Sequence, residues 1–222
     1  VPDAIRAMVF GDSITAGIGY QRAIVDAAAR RGIVLELVGR SSVPTGLRHE
    51  GVNGRTATDA AAELPDALAA HTPDVLLVLL GANPDGGGLD AYEAALRRIV
   101  VRAWRFGVSV ILGTVTAQPA RQDAIDAQTA RVVALVEELG GARLRLADLS
   151  AVDGSDLIDG VHPMPSGQRK IGEGFAEALD RWANGGRLLR GLVALGLAIG
   201  IPIAAAIHRR GWSWMRWPWR LR

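Results

Sequence analysis

Residues 1–183 alternate between two hydrophobic periodicities, and this constrains the fold more than any other feature. Five short runs, 5–10, 33–39, 74–80, 108–113 and 143–147, are apolar at nearly every position. Ala-rich stretches of helical length lie between or after them, at about 17–31, 56–70, 89–106, 122–140 and 166–183. A strand that is apolar on both faces needs cover on both faces, which parallel sheets with crossover helices provide. The chain is therefore expected to form a three-layer α/β/α domain around a five-stranded parallel sheet with right-handed crossovers. Ligands in open sheets of this kind sit beyond the carboxyl ends of the strands, so the loops after strands one, two, three and five are where chemistry is expected.

Charge and cysteine content exclude several classes. The net charge of +2 hides a split: residues 1–186 hold 18 Lys+Arg against 23 Asp+Glu, whereas 187–222 hold seven arginines and no acid. The basic character belongs to the tail, and the acidic main body argues against a nucleic-acid partner. The absence of cysteine rules out a disulfide scaffold and thiol catalysis. With 49% hydrophobic and 22% charged residues, the chain is globular.

Four loops carry candidate chemistry. After the first strand, Gly11-Asp12-Ser13-Ile14-Thr15 presents a serine at the turn into a helix N-terminus, where backbone N–H groups can face a developing oxyanion. After the fifth strand, Asp159-Gly160-Val161-His162-Pro163 sets a carboxylate three residues before a histidine. Such a carboxylate can hold one imidazole nitrogen and leave the other to take a proton from serine. Gly51-Val52-Asn53-Gly54 and Gly81-Ala82-Asn83 add donors that carry no charge to titrate. Each loop alone reads equally well as an ordinary turn. Asp153 and Asp156 remain alternatives to Asp159 as the orienting acid.

Together, Ser13, Gly54, Asn83 and His162, with Asp159 preceding, resemble the four blocks of the SGNH (GDSL-type) serine hydrolases over residues 5–183. The resemblance implies a flavodoxin-like strand order. It makes Ser13 the nucleophile, His162 the general acid–base and Asp159 its orienting group. The oxyanion hole would be the Ser13 N–H, the Gly54 N–H and the Asn83 amide. One departure concerns the third block, usually Gly-x-Asn-Asp in the family. Here Pro84 separates Asn83 from Asp85 and biases Asn83 toward extended backbone.

Val38-Gly39, followed by the segment from His49 to Thr56, is further similar to acetylxylan esterases of carbohydrate esterase family 3. That likeness implies removal of a small acyl group, acetyl foremost, from a sugar hydroxyl, with a small-molecule or polysaccharide ester as partner. His49 and Arg55 would line the acceptor side, and Asp12 joins them as a candidate substrate-binding residue. Neither cofactor nor metal is expected, since the sequence has no HExxH and its aspartates lack EF-hand spacing. The same residues would serve a lysophospholipase or thioesterase acting on lipid-like esters, or a sugar O-acetyltransferase. An inactive glycan-binding module is the non-enzymatic alternative.

Composition changes after Asn184-Gly185-Gly186, so residues 1–183 are expected as the hydrolase domain, 184–190 as a linker and 191–222 as a hydrophobic helix with a Trp/Arg-rich end. Residues 191–207 run for 17 positions without a charge, and Trp212, Trp214, Trp217 and Trp219 follow among arginines. That pattern suits a membrane anchor. The arginine bias would face the tail to the cytoplasm and put the catalytic domain outside, in the bacterial cell envelope. A GxxxG spacing from Gly196 to Gly200 offers an oligomer contact through the same helix.

Overall fold

The computed structural model describes residues 4–17, 19–43 and 46–198, with side chains to residue 185. It divides into two compact units, Val1–Trp182 and Ala183–Arg222. The elements of the chain, in order, are β1 (Ile5–Gly11), α1 (Ser13–Gly17), α2 (Tyr20–Arg30), β2 (Leu35–Val38), β3 (Ser41–Ser42), β4 (Arg48–Gly51), α3 (Ala57–His71) and β5 (Val75–Leu79). Then come α4 (Gly88–Arg105), β6 (Ser109–Gly113), α5 (Gln122–Leu139), β7 (Leu144–Ala147) and α6 (Pro165–Ala198).

The five expected strands are present as β2-β1-β5-β6-β7, every neighbouring pair parallel. Burial explains why their sequences are apolar at nearly every position. Leu76, Val78, Val110 and Leu112 face a core shared with α3, α4 and α5, including Leu64, Leu96, Ile99 and Leu135. The alternate residues Leu77, Leu79 and Ile111 are just as buried. On the α2 and α6 side, Tyr20 stacks on Phe175 with ring centroids 6.3 Å apart, and Phe175 reaches Gly113 of β6. Two covered faces leave polar side chains to the strand ends and the outer strands, as with Arg6, Glu36, Ser109 and Arg145.

The expected sheet of five parallel strands needs correction. The sheet has seven strands and is mixed, because β3 and β4 form an antiparallel pair at the carboxyl end of β1. β4 takes the place beside β1 that β2 vacates: Ile5 to Met8 pair with β2, whereas Phe10 and Gly11 pair with Glu50 and Gly51. Its sequence, Arg48-His49-Glu50-Gly51, has no hydrophobic alternation. The buried Glu50 carboxylate is held by the Arg40 N–H and guanidinium and faces His71. Gly51 is required here, since a Cβ would lie 2.4 Å from the Ala16 nitrogen.

The last helix, expected over 166–183, continues to Ala198. The expected apolar segment 191–207 passes beyond the described residues. No helix among the described residues is long and apolar enough to cross a membrane.

Candidate active site

Ser13 opens α1 directly after β1. Asp12 fixes this turn: its side-chain Oδ1 accepts from the Ile14 N–H at 3.0 Å, and its carbonyl accepts from Thr15 and Ala16 at 3.1 and 2.9 Å. α1 is only five residues long and is pinned from the side. The Thr15 and Tyr20 hydroxyls lie 2.9 Å apart, and Gln21 Nε2 donates to the Thr15 carbonyl. These contacts hold Ser13 half-buried at the carboxyl edge of the central strand.

His162 arrives from the loop between β7 and α6. The Ile158 N–H donates to the His162 carbonyl at 2.9 Å, and Leu157 and Pro163 form an antiparallel bridge, so the loop closes on itself. Asp159 Oδ1 accepts from the N–H groups of His162 and Val161, at 2.8 and 3.0 Å. Its Oδ2 lies 2.7 Å from His162 Nδ1. The His162 N–H, then the imidazole and then the Val161 N–H hold the Asp159 carboxyl down at about 2. An ionised carboxylate only accepts, so Nδ1 carries the proton and Nε2 is left as an acceptor. Ser13 Oγ lies 3.0 Å from that Nε2.

The other two aspartates considered for this role are occupied elsewhere. Asp153 caps the short 3₁₀ turn at Gly154–Asp156, and Asp156 Oδ2 bonds Lys170 Nζ and the Asp153 N–H. The structure brings only Asp159 to His162.

Gly54 lies in an exposed turn at φ +74°, a left-handed conformation that favours glycine. Neither its N–H nor that of Ser13 meets an acceptor among the described residues. Asn83 donates one hydrogen of its amide to the Arg55 carbonyl at 3.1 Å, leaving the second available. Pro84 therefore leaves the Asn83 amide tied to the loop of Gly54. Asp85, displaced one place by Pro84, is buried, and its Oδ1 accepts from the Thr58 N–H in the first turn of α3. Gln118 Nε2 and Arg121 Nη1 both donate to the Ala82 carbonyl, at 3.3 and 2.8 Å. These last two supports carry no sequence signal; Asp85 could have been found from the acid that usually ends the third block.

The three candidate substrate-binding residues lie beneath the surface. Asp12 is fully buried, and desolvation pushes its carboxyl up to about 6 against the opposing pull of the Ile14 and Ala82 N–H groups and His162. His49 is 2% exposed, its Nδ1 accepts from the Gly51 N–H, and burial lowers its pKa. The Arg55 side chain is 0% exposed and binds the carbonyls of Gly11 and Glu50 and the Glu63 carboxylate. The placement on the acceptor side is therefore corrected for His49 and Arg55: both face inward and bond backbone groups of the strand ends, while His49 Nε2 and Arg55 Nε stay buried without a hydrogen-bond partner among the described residues.

Among the described residues, no group of three or more His, Cys, Asp or Glu side chains could hold a metal ion. An arginine-lined groove of about 750 Å³ runs along α4, and another of about 590 Å³ lies between residues 114–129 and 150–154. Neither is lined by Ser13 or His162.

A hydroxyl hydrogen-bonded to a carboxylate-held imidazole, beside uncommitted N–H donors, can attack an acyl carbonyl and stabilise the resulting oxyanion. On this fold, such an arrangement defines a carboxylic ester hydrolase. The model of the GDSL-like Lipase/Acylhydrolase family matches residues 9–170, and the chain belongs to that family. No curated protein matches it. Among solved structures, a carbohydrate esterase family 3 protein from Talaromyces cellulolyticus superposes with TM-score 0.73 at 21% identity, covering 80% of this chain and 97% of that one. A family 3 carbohydrate esterase from Clostridium thermocellum gives 0.69 at 23%, covering 82% and 98%. A lipase/acylhydrolase from Enterococcus faecalis gives 0.62 at 20%, covering 79% and 95%. These chains share the fold.

Proposed function

We propose that the protein is a serine esterase that removes short acyl groups, acetyl foremost, from carbohydrate hydroxyls. Ser13 is its nucleophile, His162 its acid–base and Asp159 its orienting carboxylate. The observation that carries the reading is the continuous Ser13 Oγ, His162 Nε2, His162 Nδ1, Asp159 Oδ2 relay, with spacings of 3.0 and 2.7 Å.

Ser13 Oγ attacks the ester carbonyl while Nε2 takes its proton. The tetrahedral oxyanion is met by the Ser13 and Gly54 N–H groups and the second hydrogen of the Asn83 amide. The protonated imidazole then gives its proton to the sugar oxygen as the acyl C–O bond breaks, so that it departs as a hydroxyl and leaves an acyl-serine. Water, deprotonated by the same nitrogen, attacks the acyl carbon, and the imidazolium returns the proton to Ser13 Oγ as the acid is released. The Asp159 carboxylate stabilises the imidazolium in both halves.

The acetyl and carbohydrate parts of the reading are supported by the family 3 neighbours and by an acetyl esterase mutant with an acetate ion, of TM-score 0.71. A lipid-like ester is the second reading. It is favoured by Val52 and Ile158, which are 42% and 76% exposed on the loops that carry Gly54 and His162. Hydrolysis of p-nitrophenyl esters from acetate to laurate separates the two. Rates that peak at acetate support the first; rates that rise with chain length support the second.

A further inference from the structure

We propose that Arg55 is a positioning residue for the oxyanion donors. This rests on the ester-hydrolysis reading above and deepens it. Three loops each supply one donor, and all three meet at this residue. The Arg55 Nη1 donates to the carbonyl of Gly11, at 3.1 Å, and to that of Glu50, at 2.5 Å. Gly11 ends β1 two residues before Ser13, and Glu50 lies in β4 four residues before Gly54. The carbonyl of Arg55 in turn accepts the Asn83 amide at 3.1 Å, while its own N–H donates to Val52 at 3.3 Å.

The guanidinium is held from outside as well. Nη2 bonds Glu63 of α3, and Cζ lies 4.7 Å from the centre of the Phe10 ring. With no exposed side-chain surface, Arg55 does not touch substrate. Its planar fork of donors reaches several acceptors at once, which a lysine ammonium on a flexible stem does not reproduce. Oxyanion donors act only when held within a fraction of an ångström of where charge develops. Loosening Arg55 therefore weakens transition-state binding while leaving ground-state binding intact.

The test is a double-mutant cycle on p-nitrophenyl acetate hydrolysis, with kcat, KM and thermal unfolding measured for the parent, Arg55→Lys, Asn83→Ala, their combination and Ser13→Ala. In the otherwise parental protein, Arg55→Lys is expected to lower kcat by roughly 10- to 100-fold with KM within about twofold. With Asn83 already removed, the same change should cost several-fold less than in the parent, because donors that share one oxyanion act as a unit. Glu63→Gln, at a half-exposed position, repeats the comparison should Arg55→Lys not fold. It should lower kcat a few-fold in the parent (roughly, by the same argument) and by less in Asn83→Ala. Equal factors in both backgrounds, or a raised KM with unchanged kcat, overturn the proposal and leave the esterase reading standing. Turnover of Ser13→Ala at the parental rate overturns both.

Discussion

Asp159 and His162 are joined twice: the carboxylate takes the imidazole Nδ1 at 2.7 Å through one oxygen and the His162 backbone N–H at 2.8 Å through the other. A residue three places upstream thus sets both the position of the histidine and the tautomer of its ring. The loop makes this possible without a third element, although Asp159 is itself exposed.

Asp159→Asn retains an acceptor for the backbone N–H but can no longer stabilise an imidazolium. We expect kcat on p-nitrophenyl acetate to fall by roughly 10²- to 10⁴-fold with little change in KM. Asp153→Asn, in the Lys170 cluster, should stay close to the parent. The carboxyl of Asp159 is held at about 2, so it stays ionised as the pH falls from neutral to about 4.

Asp12 should make stability depend on pH in the opposite sense to a paired carboxylate. Its folded-state pKa, about 6, lies above the ordinary 3.8, so folding favours the neutral acid. This contribution is fully present below about pH 4 and is lost as pH rises through 6. Asp12→Asn keeps an oxygen for the Ile14 N–H and carries no charge to desolvate. Its stability relative to the parent should rise by up to about 3 kcal/mol between pH 4 and pH 7. Urea unfolding of both proteins at the two pH values checks this, and a constant difference would contradict it.

Much of the fold is legible in the sequence because burial on both faces of β1, β5 and β6 leaves runs that are apolar at nearly every position. β4 is not legible for the converse reason. Its buried acid takes partners from other elements, as Glu50 does with Arg40 and His71. The helix boundary expected before Asn184 fails because glycine weakens a helix without stopping it, and no proline intervenes until Pro202. Within the candidate site, Ser13 and His162 lie 149 positions apart, so their 3.0 Å approach is a product of strand order. No local pattern shows that His49 and Arg55 face inward, since an exposed and a buried arginine look alike in one dimension.

Tyr20 links the core to the turn that carries Ser13. Its ring stacks on Phe175, and its hydroxyl meets that of Thr15 at 2.9 Å, both residues being fully buried. Tyr20→Phe preserves the stack and orphans the Thr15 hydroxyl, at a cost of about 1–3 kcal/mol. Thermal unfolding should show that loss, and an unchanged midpoint would contradict it.

The most direct test of the account is mass spectrometry of the protein quenched in acid during turnover of p-nitrophenyl acetate, with Ser13→Ala run beside it. An acetyl group on the peptide that contains Ser13 in the parent, absent from the inactive variant, is the expected result. Acetyl carried on another residue, or turnover by Ser13→Ala at the parental rate, would contradict the assignment of Ser13 as nucleophile.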